Sequence, residues 1–214
     1  MGTIEYKGIT ITHFLHASFK ITGQNTTIYI DPFQIASEPH DADIVICTHD
    51  HYDHCSPDDV KKVAKKDTVI IASTNCMAKV KQLGLEYKLL NPGDKIEVRN
   101  VAIEAVPAYN IGKRFHPKEY RGIGVVVRIG GVAIYHAGDT DLIPEMSNLR
   151  GKVQVALLPV SGTYVMDWNE AVKAAETIMP EIAIPMHYGA IVGNKNDAEN
   201  FAKKLAGKVR VEII

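Results

Sequence analysis

Residues 48–54 read THDHYDH and place His49, His51, Asp53 and His54 within six positions, in the pattern H-x-H-x-D-H. Imidazole and carboxylate together are what a first-row divalent cation recruits from a protein. The preceding segment, DIVIC (43–47), is short, apolar and β-branched, and reads as a buried strand. The heptapeptide therefore occupies a loop leaving a strand's C-terminal end, where open α/β sheets place their chemistry. Alternate residues of an extended stretch point apart, so four such side chains cannot wrap one ion. The spacing suits two neighbouring ions, one taken by His49 and His51 and one by Asp53 and His54.

A chain of 214 residues, 46% hydrophobic and 23% charged, has the make-up of one soluble globular domain spanning 1–214. Its net charge of −1 argues against bulk binding to a phosphate backbone. A small-molecule substrate is the expected partner; nucleic acid is not indicated, and a homo-oligomer is neither required nor excluded. No stretch approaches the roughly 18 apolar residues of a membrane span, and MGTIEYKG lacks a signal-peptide core. Three cysteines (Cys47, Cys55, Cys76) without C-x-x-C spacing suggest a reducing, cytoplasmic setting.

Strands are expected at 3–6, 9–14, 18–22, 26–30 and 43–47. Ser56-Pro57-Asp58-Asp59 has the order of an N-cap, a first-turn proline and two first-turn acids, opening a helix to about Lys66. A strand at 68–72 and a helix near 75–83, stopped by Gly84, come next. The middle is strand-rich (86–90, 94–98, 101–107, 122–129, 132–136). The last third alternates strand 153–158, helix 168–178, strand 182–186, helix 196–206 and strand 208–213. No repeat of fixed period is visible. Two blocks of strands, each flanked by helices, predict an α/β fold in the form of a four-layer αββα sandwich. The lysines at 61, 62, 65 and 66 read as a solvated face rather than a nucleic-acid patch.

Two further strand ends carry ligand chemistry. In IYHAGDTD (134–141), Asp139 sits at a Gly-Asp turn and suits a carboxylate bridging two cations. In IAIPMHYG (182–189), His187 follows an apolar strand. Three strand ends with such residues make a strong joint signal.

The order THDHYDH, AGDTD, PMHYG resembles the metallo-β-lactamase superfamily and, within it, metal-dependent hydrolases related to ascorbate-6-phosphate lactonase. The similarity covers almost the whole chain. IYIDPF (28–33) is similar to the early motif in which Asp31 braces the metal loop without binding metal. LHASFKI (15–21) resembles the G-H-A-S-F opening of the lactonase-like branch, with Leu15 in place of Gly. LLPVSGTYVMDWNEA (157–171) resembles the loop and helix after the bridging Asp. The resemblance implies the αββα fold and hydrolysis by a metal-bound hydroxide. It also implies that His16 contacts substrate or supports the ligands.

One departure stands out. The superfamily usually has a further His after the strand corresponding to VAIEAVPAYN (101–110), where this chain holds Tyr109-Asn110. Either His116 folds back to complete the first site, or that site is under-coordinated. The former is expected, because Pro117 stiffens the backbone beside it. His49, His51 and His116 would then hold one metal and Asp53, His54 and His187 the other, with Asp139 bridging. Two divalent ions are expected, zinc or manganese first, with nickel or iron compatible. Asp53 is also the candidate to orient the nucleophile. His136 either orients Asp139 or is a buried, hydrogen-bonded histidine, while His13 and His40 are structural or exposed. Loops 109–121 and 160–168 would set specificity through Tyr109, Asn110, Arg114, Tyr164 and Trp168, with Lys113 and Arg114 candidates to receive a phosphate. The leading activity is phosphodiester hydrolysis; the alternatives are a lactonase acting on a phosphorylated sugar-type lactone and a metal-binding protein without turnover.

Overall fold

Alternating apolar residues sort themselves onto two facing sheets in the computed structural model, which describes residues 1–214. The first sheet contains β1 (Gly2–Tyr6), β2 (Ile9–Leu15), β3 (Ser18–Gly23), β4 (Thr26–Ile30), β5 (Ala42–Cys47), β6 (Ala64–Ser73) and β7 (Glu86–Leu90), in that order. The second runs from β8 (Lys95–Val98) through β9 (Val101–Pro107), β10 (Ile123–Ile129), β11 (Val132–His136), β12 (Val155–Pro159) and β13 (Ile182–Met186) to β14 (Arg210–Val211). In each sheet the first four strands pair antiparallel and the rest parallel. The chain thus repeats one topology twice, although no sequence period betrays it.

Strand β5 is buried throughout. Its Ile44 and Ile46 join the core between the sheets, while Val45 and Cys47 turn to the outer side. Strand β6 repeats the division, with Val69 and Ile71 inward and Ile70 and Ala72 outward. Such two-faced burial is what helix-covered parallel strands require. Helices α1 (Pro57–Val63) and α2 (Met77–Lys81) cover the first sheet; α3 (Trp168–Ile178) and α4 (Lys195–Leu205) cover the second. The result is the expected four-layer αββα sandwich. No helix is long and apolar enough to cross a membrane.

Local departures from expectation have tertiary causes. Helix α1 stops at Val63 rather than Lys66 because Ala64 turns extended and pairs with Ala42. Thr68 holds that pairing, donating to the Ala42 carbonyl at 2.6 Å and accepting from Lys65 N–H at 2.8 Å. The helix foreseen at 75–83 is a 3₁₀ turn (Thr74–Cys76) followed by the short α2. Only Arg210–Val211 of the foreseen last strand pairs. Two 3₁₀ segments, Lys118–Tyr120 and Pro144–Leu149, were not legible. The lysine-rich face is met by acids: Lys61 by Asp58, Lys62 by Asp59 and Lys65 by Asp43.

Parallel strands β4, β5, β12 and β13 open their C-terminal ends toward the same region, as does the turn after β11. Gly138 makes that last turn at φ +64°, where an added Cβ would lie 2.6 Å from the Ile123 carbonyl oxygen. Gly84 has a similar φ of +69° but open space around it. Left-handed geometry alone costs a non-glycine residue about 1–2 kcal/mol. Gly84→Ala should lose about that much in urea unfolding, and Gly138→Ala clearly more, because backbone must move. Equal losses would show that the Gly138 turn yields freely.

Candidate metal centre

The loop after β5 is fixed from beneath. Asp31, at the end of β4, accepts from Thr48 N–H at 2.8 Å, from the Thr48 hydroxyl at 2.7 Å and from His54 Nδ1–H at 2.7 Å. Beyond Thr48 the chain does not stay extended. His54 and Cys55 N–H groups both donate to the His51 carbonyl, at 3.2 and 2.9 Å, and curl 51–55 into a turn. That turn lets residues only two to five apart converge on one centre.

His49 Nε2, His51 Nδ1 and His116 Nε2 meet at one point: the first two lie 3.1 Å apart and the last two 3.0 Å. Imidazole nitrogens at this spacing match two ligands of one tetrahedral ion, for which Zn–N bonds of about 2.0–2.1 Å give an edge of about 3.3 Å. On the other side, His16, Asp53, His54 and His187 converge, while His49, His54 and Asp139 form a third overlapping group. Asp139 stands between them. Its Oδ2 lies 3.2 Å from His187 Nε2, 3.6 Å from His116 Nε2 and 3.9 Å from His49 Nε2; its Oδ1 lies 3.3 Å from His54 Nε2.

The outward nitrogens of the rings are held so that the inward ones are free. Thr48 Oγ1 lies 3.0 Å from His49 Nδ1, Ser161 Oγ 3.0 Å from His187 Nδ1, and the Tyr164 carbonyl 3.3 Å from His116 Nδ1. Such contacts fix tautomer and ring orientation in metal sites. Several inward atoms are then left buried without a hydrogen-bond partner: His54 Nε2, Asp139 Oδ1 and both ring nitrogens of His16. His16 Nε2 is 3.1 Å from Asp53 Oδ2 yet makes no hydrogen bond with it. Buried polar atoms are rarely left unpaired. Converging but unpaired imidazole and carboxylate donors fit a divalent cation, and the fit holds for two adjacent ones.

Charge reinforces this arrangement. Burial, with His54 beside it, pushes His49 well below the usual imidazole range; burial likewise lowers His116 and His16. Low basicity keeps these rings neutral and able to bind metal. Burial would raise the Asp139 carboxyl, but His187 and His54 hold it well below the usual range. Burial opposes charge on His54 too, yet Asp139 and Asp31 overcome it and raise the ring to about 10. Four residues here, Asp31, His16, His116 and His187, sit at positive φ (47°, 59°, 56° and 61°). Strain of this kind collects at functional sites.

The structure brings together all seven residues expected as ligands, His49, His51, Asp53, His54, His116, Asp139 and His187, and adds His16 to them. Two others are placed differently. Asn110 does not reach substrate space: its amide donates to the carbonyls of Phe115 at 3.0 Å and Tyr164 at 2.6 Å, bracing the His116 loop. His136 makes no hydrogen bond to Asp139; it pairs with the Ala17 carbonyl at 2.8 Å and accepts from Gly138 N–H at 3.2 Å. It thereby ties the turn carrying His16 to the turn carrying Asp139. Lys113 bonds Asp141 at 2.5 Å and the Val165 carbonyl at 2.7 Å and does not line the cavity over the donors. His13 bonds the carbonyls of Ile214 and His16, and His40 lies exposed against Ala64. Thr48 and Ser161 escaped notice, although both sit inside the quoted motifs. The three cysteines are free and buried.

Above the donors lies a cavity of about 220 Å³ lined by His16, His51, Asp53, His116, Asp139 and His187 with Tyr52, Phe115, Tyr164 and Ile191. A larger cleft of about 460 Å³ opens over Tyr135 between Lys95, Glu104 and Arg128. It gathers no histidine, so donor chemistry selects the smaller cavity.

Two outcomes follow from this geometry. Asp31→Ala removes the partner of His54 and Thr48; metal affinity should fall about 10–100-fold, read by competition with a chelating dye. Unchanged affinity would remove Asp31 from the support of the loop. In protein stripped of metal, the raised His54 stabilises the fold fully below its unfolded value of 6.5 and ceases to do so as pH rises through about 10. Metal uptake at pH 7 should therefore release a proton, seen as a buffer-dependent binding enthalpy.

Comparison with known proteins agrees with this chemistry. Residues 10–187 match the family described as "Beta-lactamase superfamily domain". The UPF0173 metal-dependent hydrolase of Pyrococcus furiosus is 34% identical, over 96% of this chain and 96% of the relative. That of Thermoplasma acidophilum is 33% identical, over 93% and 91%. The solved structure of Igni18, a metallo hydrolase from Ignicoccus hospitalis, superimposes with a TM-score of 0.80 at 26% identity, covering 96% of this chain and 94% of that one. With its strand-end ligands, its paired sheets and these relatives, the chain belongs to the metallo-β-lactamase superfamily, alongside the UPF0173 proteins.

Proposed function

We propose that the chain is a metal-dependent hydrolase working at a centre of two divalent cations. The observation that carries this reading is the convergence of seven buried or half-buried donor residues around Asp139, several with atoms left unpaired. The relatives' shared name, metal-dependent hydrolase, supports it. His49, His51 and His116 would hold one cation and Asp53, His54 and His187 the other, with Asp139 shared and His16 beside the second. An imidazole-rich set favours zinc, and its carboxylates also admit manganese, iron or nickel. Cations bound there acidify water to near neutrality and polarise the substrate oxygen.

The chain's own groups do the rest. Burial would raise the Asp53 carboxyl, but His16 and His54 hold it below the usual range. Ionised and on the cavity wall, Asp53 can accept a hydrogen bond from the attacking water and orient it. Tyr52, Phe115 and Tyr164 limit bulk water at the mouth. A phosphodiester is the leading substrate class, since paired cations serve both the attacking and the leaving oxygen. A lactone is the second reading, favoured by the lack of any lysine or arginine among the cavity-lining residues. Three free thiols and the absence of a long apolar helix support a cytoplasmic setting.

The test is metal content per chain and hydrolysis of phosphodiester and lactone panels, for the native chain and two variants. About two metals are expected, falling to about one in His116→Ala, and Asp139→Ala should lose both metal and turnover. One metal or fewer, unchanged in His116→Ala, removes the two-cation centre. Tight binding with no turnover on either panel would instead make the chain a metal-binding protein.

A further inference from the structure

The wall of the cavity above the metal centre is apolar where it meets solvent. Tyr52 is 62% exposed, Phe115 43% and Ile191 40%, and Tyr164 stands half-buried between donors and mouth. Large apolar side chains left in water around one opening are uncommon unless something covers them. They are also set rather than loose. The Phe115 and Tyr164 rings meet edge to face with centroids 5.1 Å apart, and Tyr52 meets Phe33 in the same way at 5.8 Å. Asn110 bonds the carbonyls of both Phe115 and Tyr164 and so ties the backbone under the two rings together.

Nearby lysines are engaged elsewhere. Lys113 is spent on Asp141, Lys118 on Glu145 at 3.0 Å and Lys195 on Glu199 at 3.2 Å. Lys79 donates to the Cys55 carbonyl at 3.0 Å. Arg114 holds its guanidinium 5.8 Å from the centre of the Phe115 ring and does not line the cavity. A remote negative charge on a substrate would meet no lysine or arginine among the cavity-lining residues, whereas an apolar group would cover the exposed rings.

We propose that Tyr52, Phe115, Tyr164 and Ile191 form a specificity subsite that takes an uncharged, apolar substituent of a small ester whose scissile group lies at the metal centre. This rests on the hydrolase reading above and narrows it: the substituent is aryl or alkyl, and a phosphorylated sugar-type lactone is disfavoured. Continuity of the four side chains with the donor cavity points to a substrate group as their cover. A polymer is a poor occupant, since the cavity measures only about 220 Å³.

The experiment compares matched esters on the metal-loaded chain: p-nitrophenyl phenyl phosphate against p-nitrophenyl methyl phosphate, and δ-decanolactone against δ-valerolactone. In whichever pair turns over, the apolar member should be favoured about tenfold or more in kcat/KM, through KM, as burying an aromatic or alkyl group implies. Phe115→Ala should collapse that ratio with metal content unchanged, and Phe115→Lys should invert it toward a 6-phosphorylated gluconolactone. Equal kcat/KM within each pair, or a native preference for the phosphorylated lactone, overturns the subsite while leaving the hydrolase intact. So does a change of oligomeric state in Phe115→Ala without a change in the ratio, which would make the ring an interface between copies. Should no ester turn over, binding of phenylphosphonate against methylphosphonate decides alone: tighter phenyl binding that is lost in Phe115→Ala upholds the subsite without the hydrolase, and equal binding overturns it.

Discussion

Asp31, shut away from solvent, accepts three short hydrogen bonds, and the metal loop stands on them. The carboxylate is wholly buried, faces Thr48 with both oxygens and hands the same Oδ2 to His54. Charge-assisted bonds in such a setting are stronger than neutral ones, and removing one partner leaves a charge uncompensated. Asp31 itself sits at φ 47°, a left-handed conformation uncommon for any residue but glycine, though aspartate adopts it more readily than most. Its N–H is fixed to the Ile46 carbonyl at 2.9 Å, so β5 supplies the restraint that keeps the strain in place. The order of cause runs from packed sheet to strained carboxylate to oriented loop.

That dependence explains why so much was readable in the chain. The buried strands are legible as apolar β-branched runs, and most candidate ligands follow one of them directly: THDHYDH after β5, Asp139 after β11, His187 after β13. Where donor and strand are adjacent in sequence, periodicity locates the site. His116 has no such strand immediately before it. Its place depends on Asn110 N–H donating to the His116 carbonyl at 2.7 Å and on a left-handed backbone at His116 itself, neither of which a spacing reveals. Asn110 and His136 were assigned by nearness in sequence to substrate loop and bridging Asp. Asn110 Nδ2 and both ring nitrogens of His136 bond backbone groups that the fold brings close, while Asn110 Oδ1 stays buried without a partner.

The repeated topology bears on how the centre is assembled. One half contributes His16, His49, His51, Asp53 and His54, the other His116, Asp139 and His187, so neither sheet alone holds a complete set. The halves are stitched at the site: His187 N–H donates to the His16 carbonyl at 2.8 Å, Ile123 N–H to the Thr48 carbonyl at 3.0 Å, and His136 reaches the Ala17 carbonyl. Apolar burial between the sheets provides the driving force, because no polar contact at this edge would hold two sheets together unaided. The Gly138 turn, pressed against the Ile123 carbonyl, shows how close the approach is.

Bringing eight donors from two halves into one buried space sets up an electrostatic conflict that the chain resolves with its own groups. Two carboxylates and six imidazoles cannot all satisfy one another: nitrogens face nitrogens at 3.0–3.1 Å, where at most one of each pair carries a proton. Protonating His54 answers the charge of Asp139 and Asp31, while burial keeps His49, His116 and His16 neutral. Divalent cations would answer the same charges and occupy the unpaired lone pairs as well. A proton on His54 and a divalent cation are thus alternative answers to the same buried carboxylates, and a cation would have to displace that proton.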